Sequence, residues 1–287
     1  MRRNTFSKKN KTIFIVLIAA LLFSSSKLFS GIEGTNNTYS IEKPNGSSSI
    51  SYIDSVTNEA VGSFSLKDIP EYDGKSFYVE VNNNEPFFTE EEKKKVDKTY
   101  YEYGNLDKLG RAVGVTANIN FDSLPKEDRD DKDELRKITP TGWKQKEYGK
   151  EYVETGWLYN RSHLVGYALG GSTVKENIVT ATRYCNATSM LWFEEECLSF
   201  VKSHKDSSIL YKVTPIYKDK EQVCRGLLMQ GLSVEKKGGK IVYGDNLKFC
   251  VYVYNVQPGL SISYKNGSSK LIKGYKGEYA TKSYYNK

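Results

Sequence analysis

Short apolar runs alternate with Gly, Pro, Asn and Asp clusters from Phe64 to Lys265, a pattern typical of strands joined by tight turns. Strand composition is found in the following stretches: Phe77–Val81, Arg111–Phe121, Trp157–Leu169, Asn177–Thr182, Ile209–Tyr217, Gln222–Glu235 and Leu247–Val256. A helix is predicted from Asn186 onward, because the apolar residues there recur at helical spacing: Met190, Leu191, Phe193, Cys197, Leu198 and Val201. The pattern therefore predicts a strand-rich domain in which one strand–turn–strand–helix unit occupies the middle of the chain.

A second, shorter helix is predicted after Thr89, because Thr89 and Glu92 have the spacing of a capping box and Lys93 to Lys95 follow one turn later. The stretch Pro125 to Arg136 mixes both charges densely, which indicates a surface loop or helix. Thr139 to Trp143 is predicted to be a turn that leads into the central unit.

The amino terminus has the order of a secretory signal. Residues 1–11 are basic, Ile13 to Phe23 are apolar and Ser24 to Ser26 are small, whereas a membrane-spanning helix needs roughly 20 apolar residues. Residues 1–30 are therefore predicted to be a signal peptide or a retained anchor that contacts the membrane. The protein is expected to be secreted or held on the outer face of the cell membrane.

Composition divides the remaining chain into three predicted parts. Residues 31–63 are rich in Ser, Asn and Gly and are expected to form a flexible polar linker. Residues 64–265 are expected to form the folded domain, and residues 266–287 a poorly ordered polar tail.

Net charge gives little information about the partner. The formal charge is +7, but residues 1–30 contain six Lys and Arg residues and no acidic residue, which leaves +1 for the remainder. Binding to phosphates would therefore depend on where individual Arg and Lys side chains lie, and not on the overall field.

The four cysteines, Cys185, Cys197, Cys224 and Cys250, are in a chain whose predicted export permits disulfides. Cys224 and Cys250 could pair if their two strands are neighbours. Four buried, apolar thiols are the favoured alternative. A zinc site is not favoured, because no Cys-x-x-Cys spacing occurs.

The central unit carries the candidate chemistry, which suits phosphodiester hydrolysis. His163 has the side chain whose ordinary pKa is nearest neutrality, and it is the candidate general base. The Asn186 carbonyl oxygen is a hard ligand suited to Mg²⁺, which keeps most of its waters, and Glu194 lies about two helical turns further on. Arg161 is a candidate for holding a phosphate oxygen, and Asn177 for bracing the site.

The run NRSHLVGYALGG at 160–171, with Asn177 and Asn186 nine residues apart and Glu194 eight further, resembles the DNA/RNA non-specific endonuclease family. The stretches DIPEYDGK at 68–75, TPTGW at 139–143 and VYNVQPG at 253–259 are similar to the secreted or membrane-anchored streptodornases of streptococci. The resemblance covers roughly residues 64–265. It implies an α+β fold with a central antiparallel β-sheet, flanking helices and a ββα-metal catalytic motif.

The same resemblance implies cleavage of DNA with little sequence preference and 5′-phosphate products, and it leaves RNA open as a further substrate. It implies Mg²⁺ as cofactor, with Mn²⁺ as a substitute, and no small-molecule cofactor. His163 would be the base, Asn186 the direct metal ligand and Glu194 a partner of the metal's waters. An upstream arginine that contacts substrate would correspond to Arg129.

Two residues depart from the usual Asp-Arg-Gly-His motif of that family: Asn160 replaces the Asp and Ser162 replaces the Gly. A charge and a residue that tolerates unusual backbone angles are therefore lost, while the base and the metal ligand remain.

Two other classes of function stay open. One is an exported nucleic-acid-binding module that keeps the fold without activity. The other, less favoured, is a thiol hydrolase that uses Cys185 and His163.

Overall fold

The computed structural model describes residues 49–53, 60–127 and 132–277, all within one compact unit of the chain. The strands are β1 (Ser49–Ile53), β2 (Ala60–Ser65), β3 (Tyr78–Glu80), β4 (Tyr100–Tyr103), β5 (Val115–Asn120), β6 (Tyr159–His163), β7 (Ile178–Thr182), β8 (Ser208–Ile216), β9 (Gly226–Lys237), β10 (Lys240–Tyr254), β11 (Leu260–Ile262) and β12 (Ser269–Leu271). The helices are α1 (Glu90–Lys94), α2 (Lys132–Lys137) and α3 (Leu191–Ser203), and a π-helical segment (Cys185–Met190) leads directly into α3. No helix in these described ranges is long and apolar enough to cross a membrane.

A six-stranded antiparallel sheet in the order β3-β10-β9-β8-β5-β4 forms the centre of the molecule. The β9–β10 hairpin turns at Gly238 and Gly239, both with positive φ, a conformation that a Gly-Gly pair adopts without steric cost. The α+β class with a central antiparallel sheet is therefore confirmed. The short strand β4 was not predicted.

Each face of the sheet carries its own apolar layer. On one face, Tyr211, Met229 and Val251 pack in the same cluster as Phe193 and Val201 of α3. On the other face, side chains of β9 and β10 that alternate with these pack against the amino-terminal part of the domain. The sheet is thus buried on both faces, and α3 is fixed to one of them.

The segment predicted to be a linker contains a strand pair instead. Strands β1 and β2 form an antiparallel ribbon, and Phe64 of β2 is buried and stacks on Tyr252 with 5.7 Å between ring centroids. Gly62 lies so close to Phe87 that a Cβ atom would meet the ring at 2.1 Å. The folded domain therefore begins before residue 64, because Phe64 and Gly62 complete the apolar layer on this face.

The segment predicted to be a poorly ordered tail is folded as far as Gly277. Strand β12 pairs with β11, Tyr148 Oη donates to Ser269 Oγ at 2.7 Å, and Tyr159 Oη donates to the Gly267 carbonyl at 2.9 Å. These tyrosine contacts order a Gly- and Ser-rich stretch that has few apolar side chains of its own. Residues 278–287, like the predicted signal segment 1–30, lie outside the described residues.

All four cysteines are free and buried, as the favoured alternative predicted. Cys224 belongs to the apolar cluster on the α3 side of the sheet, whereas Cys250 belongs to the cluster on the opposite side. The two thiols are therefore separated by the sheet and do not pair.

Candidate active site

Strands β6 and β7 pair antiparallel and lead into the helix, so the predicted strand–turn–strand–helix unit is present. In the pairing, Arg161 lies opposite Thr180 and His163 opposite Ile178. Because side chains alternate along a strand, Arg161 and His163 share one face of β6 and Asn160 and Ser162 share the other. We call the segment from Tyr159 to Ser203 the hairpin–helix unit.

Two buried amides dock this unit onto the central sheet. Asn255 accepts from the Thr182 backbone N–H at 2.9 Å and donates to the carbonyls of Thr180 and Cys224. Gln257 accepts from the Tyr184 N–H at 3.1 Å, immediately before the π-helical segment. Side chains that follow β10 therefore fix both the end of β7 and the start of the helix.

Strand β6 ends earlier than predicted, because a side chain replaces its partner strand. The Asn177 side chain is fully buried, accepts from the Val165 N–H at 3.0 Å and donates to the carbonyls of Val165 and Ser172. Gly171 packs against the Val165 carbonyl, where a Cβ would lie only 1.9 Å from the oxygen. Asn177 thus closes the loop between β6 and β7, residues 164–177, into a fixed shape.

His163 is largely buried at the end of β6, and its Nε2 lies 3.1 Å from Thr173 Oγ1. Thr173 belongs to the loop that Asn177 closes. The orientation of the imidazole ring is therefore tied to this loop.

Asn186 is half-buried within the π-helical segment, and its Oδ1 accepts a hydrogen bond of 2.6 Å from Ser162 Oγ. Ser189 in the same segment donates to the Tyr184 carbonyl at 3.3 Å. Predicting a regular helix from Asn186 was wrong in this detail, since the first turns have π geometry. Such short π segments occur frequently at functional sites.

Glu194, in the first turn of α3, accepts from the Gly166 backbone N–H through Oε1 at 3.1 Å. Burial raises the pKa of Glu194 to about 7, against the lowering effect of the Gly166 hydrogen bond, and Glu195 adds to the increase. A carboxyl group in this state changes its charge near neutral pH.

Asn186 and Glu194 thus contact residues 162 and 166, on either side of His163 in the sequence.

Arg161 makes different contacts: its Nε donates to the Ile138 carbonyl at 2.6 Å and its guanidinium carbon lies 4.3 Å from the centre of the Trp143 ring. Burial lowers the pKa of Arg161, and the nearby positive charge of Arg136 lowers it further. A guanidinium group whose charge is disfavoured by a neighbouring cation makes a favourable environment for an anion. Arg129, the other predicted substrate residue, lies outside the described residues.

A family model for DNA/RNA non-specific endonuclease matches residues 91–234, half of the 287-residue chain. The chain belongs to the DNA/RNA non-specific endonuclease family. A deoxyribonuclease of Streptococcus dysgalactiae subsp. equisimilis is 28% identical over 123 residues, which are 42% of this chain and 34% of the relative. The aligned part is thus about a third of that curated relative.

Two solved structures of NucA from Streptococcus agalactiae share the fold. The structure with a magnesium ion bound is 20% identical and has a TM-score of 0.57, and the metal-free structure is 21% identical and has a TM-score of 0.55. Each match covers 72% of this chain and 92% of the NucA chain. The ββα-metal fold predicted from the family resemblance is therefore confirmed.

Asn186 offers one side-chain oxygen to a cation in this site. No group of three or more His, Cys, Asp or Glu side chains that could hold a metal occurs among the described residues. Mg²⁺ does not require one, because it keeps several waters and is bound through few protein oxygens. The Asn186 carbonyl oxygen has two lone pairs, of which Ser162 takes one, so the residues present fit Mg²⁺.

The geometry is unfavourable for the thiol hydrolase. Cys185 is fully buried, and burial raises the pKa of its thiol well above the ordinary value. A nucleophilic cysteine requires the thiolate form, which this environment disfavours.

Sequence reasoning missed several residues that shape this candidate site: Thr173, Arg136, Trp143, Asn255 and Gln257. Trp143, Asn255 and Gln257 lie in stretches that carry the family resemblance, but the resemblance assigns them no role. Polar Asn and Gln next to a buried strand were the available signal. Nothing in the local sequence of Thr173 or Arg136 indicated their contacts.

Proposed function

We propose that the protein is an exported, Mg²⁺-dependent endonuclease that hydrolyses DNA with little sequence preference. The observation that carries the proposal is the hairpin–helix unit of a DNA/RNA non-specific endonuclease family member, in which Asn186 contacts Ser162 and Glu194 contacts Gly166, two residues that flank His163 in the sequence. Residues 1–30 would direct export, to the medium or to the outer face of the membrane.

In the proposed reaction His163 accepts a proton from a water molecule as the water oxygen attacks phosphorus. The bond from phosphorus to the 3′ oxygen breaks, the departing oxygen takes a proton from solvent, and the products carry a 5′-phosphate and a 3′-hydroxyl. The Thr173 contact supports this role for His163, because a base must be held in one orientation to accept the proton efficiently.

Arg161 would bind a non-bridging phosphate oxygen, and Arg136 would add positive charge beside it. Asn186 would hold Mg²⁺ through Oδ1, and Glu194 would accept hydrogen bonds from water in the site. When bound, the cation would stabilise negative charge that builds up on the phosphate and the leaving oxygen.

Plasmid digestion with Mg²⁺ and with EDTA tests the proposal. We expect cleavage in Mg²⁺ only, and unrelated duplexes should be cut at similar rates. His163→Ala should lower the rate about 10²- to 10⁴-fold, since that is the usual contribution of a general base. His204→Ala is the matched control, because His204 is exposed at the end of α3 and stacks on Phe200, so its loss should leave the rate unchanged.

Chemical rescue makes the test sharper. His163→Gly leaves space for a ring, and added imidazole should restore cleavage more strongly as pH rises through the imidazole pKa, because only the neutral ring accepts a proton. Near-normal activity of a folded His163→Gly protein without imidazole would contradict the assignment. DNA binding that survives EDTA, with no cleavage under any metal, would instead favour a binding module on the same fold.

A further inference from the structure

Ser162 makes a buried side-chain contact between the strand and the helix of the site. Its side chain is fully buried, and its Oγ lies 2.6 Å from Asn186 Oδ1 and 3.4 Å from Met190 Sδ. Ser162 is on β6, whereas Asn186 and Met190 are both in the π-helical segment. One hydroxyl group therefore joins the strand to the helix at the residue that would hold the metal.

We propose that Ser162 is a positioning residue, whose hydroxyl holds the carbonyl oxygen of Asn186 in the orientation that binds Mg²⁺. This inference rests on the proposed function and assigns to Ser162 a part in metal affinity.

The serine hydroxyl has a single proton to donate. Ser162 can donate to Asn186 Oδ1 or to Met190 Sδ, and a thioether is a weak acceptor. The short distance to Oδ1 favours the amide oxygen. An amide turned by 180° would present its NH₂ group to Ser162 and leave the hydroxyl proton to the sulfur, which is the poorer arrangement.

The orientation of the amide matters because the last torsion of an Asn side chain is broad and roughly two-fold. Asn186 is only half-buried, so packing alone does not choose between the amide oxygen and the amide nitrogen. A carbonyl oxygen has two lone pairs, and the one that Ser162 does not use stays available to a cation. Loss of the hydroxyl would therefore add an ordering cost to metal binding.

Calorimetric titration of the purified protein with Mg²⁺, repeated with Mn²⁺, measures this effect. We expect Ser162→Ala to weaken binding roughly 10-fold or more, since partners of metal ligands typically contribute 10- to 100-fold. Ser189→Ala is the matched control: Ser189 is also fully buried in this unit, but its hydroxyl bonds to the Tyr184 carbonyl and not to Asn186. Ser162→Cys keeps similar volume with a weaker donor and should fall between wild type and Ser162→Ala.

A double-mutant cycle separates positioning from a general loss of stability. In an Asn186→Ala background, Ser162→Ala should cause no further loss of affinity, because its only proposed target is absent. Additive losses, or equal weakening by Ser162→Ala and Ser189→Ala, would overturn the inference.

A metal-free measurement keeps this inference distinct from the proposed function. In EDTA, the side-chain amide resonances of Asn186 should shift or broaden in Ser162→Ala and stay in place in Ser189→Ala. If wild-type protein neither binds metal nor cuts DNA, the proposed function fails, and unchanged Asn186 resonances in Ser162→Ala would reject the hydrogen bond as well. If wild-type protein cuts DNA and Ser162→Ala binds Mg²⁺ with wild-type affinity, only the inference about Ser162 fails.

Discussion

Replacing Glu194 by Gln should stabilise the metal-free protein, and by more at high pH than at low pH. The folded-state pKa of Glu194 is about 7, above its ordinary 4.5, so the folded protein binds this proton more tightly than the unfolded chain does. The contribution of Glu194 to stability is therefore fully present below about pH 4.5 and is lost as pH rises to about 7. Gln is the matching replacement, because its carbonyl oxygen can still accept the Gly166 hydrogen bond.

The difference of about 2.5 pKa units corresponds to at most about 3 kcal/mol at pH 8. For a domain of this size, that is an increase in Tm of about 6–12 °C. Thermal unfolding in EDTA from pH 4 to pH 8.5, followed by circular dichroism, measures it. Glu196→Gln, an exposed change on the same helix, is the control and should leave Tm within about 1 °C.

The dependence on pH is the decisive part of that experiment. The Tm difference between Glu194→Gln and wild type should be near zero at pH 4 and should grow up to about pH 7. A difference that is constant with pH, or a variant less stable than wild type at pH 8, would show that the carboxyl is not held in a disfavoured charged state.

Two further predictions concern buried polar groups. Asn177→Asp keeps the shape of the side chain but places a carboxylate beside the Val165 and Ser172 carbonyls, so urea denaturation should show a loss of about 2–4 kcal/mol in the free energy of unfolding. Asn266→Asp is the control: it keeps its acceptor for the Ser268 N–H and should change the free energy of unfolding by less than about 0.5 kcal/mol. Equal effects of the two variants would contradict the role of the Asn177 amide in closing the loop 164–177. In the wild-type protein, Lys212 Nζ lies 2.6 Å from the buried Glu92 carboxylate. Lys212→Met removes this charge partner and should lower the free energy of unfolding by about 3–5 kcal/mol in the same assay. Adding Glu92→Gln should recover most of that loss, and no recovery would mean that the pair does not act through charge.

Regular elements were predictable wherever local patterns and tertiary packing agreed. The Thr89 capping box is present with both of its hydrogen bonds, and α1 follows it. The two-residue turn at Gly238 and Gly239 fixed the longest hairpin of the sheet. In each case a few neighbouring residues supply the whole physical reason, so the sequence contains the information locally.

Features that depend on distant partners were not predictable. Val165 has the composition of a strand residue, yet its backbone bonds to the Asn177 side chain and the strand stops at His163. Residues 31–63 are predicted to be a linker, yet β1 and most of β2 lie there, because Phe64 packs the ribbon against Tyr252 and its neighbours. Tertiary contacts override local composition in both places.

Which residues belong to the candidate site was partly predictable from the sequence. The candidates His163, Asn186 and Glu194 belong to one unit, as their sequence spacing indicated, and their proposed roles stay predictions. The Ser162 contact with Asn186 was not predictable, because the sequence shows that residue 162 has a hydroxyl group but not which distant residue the hydroxyl reaches.

The π-helical segment has a consequence for which changes of length this unit tolerates. Each residue of an α-helix turns the chain by about 100°, so the eight residues from Asn186 to Glu194 would leave the two side chains about 80° apart around a regular helix. A π segment absorbs one residue without adding to the turn, which brings them to within about 20°. Deleting a single residue between Ala187 and Met190 would remove the π geometry, but a regular helix with one residue fewer keeps the same alignment. Inserting one residue would rotate Glu194 away from the Asn186 side. The helix should therefore accept a one-residue deletion here more readily than a one-residue insertion.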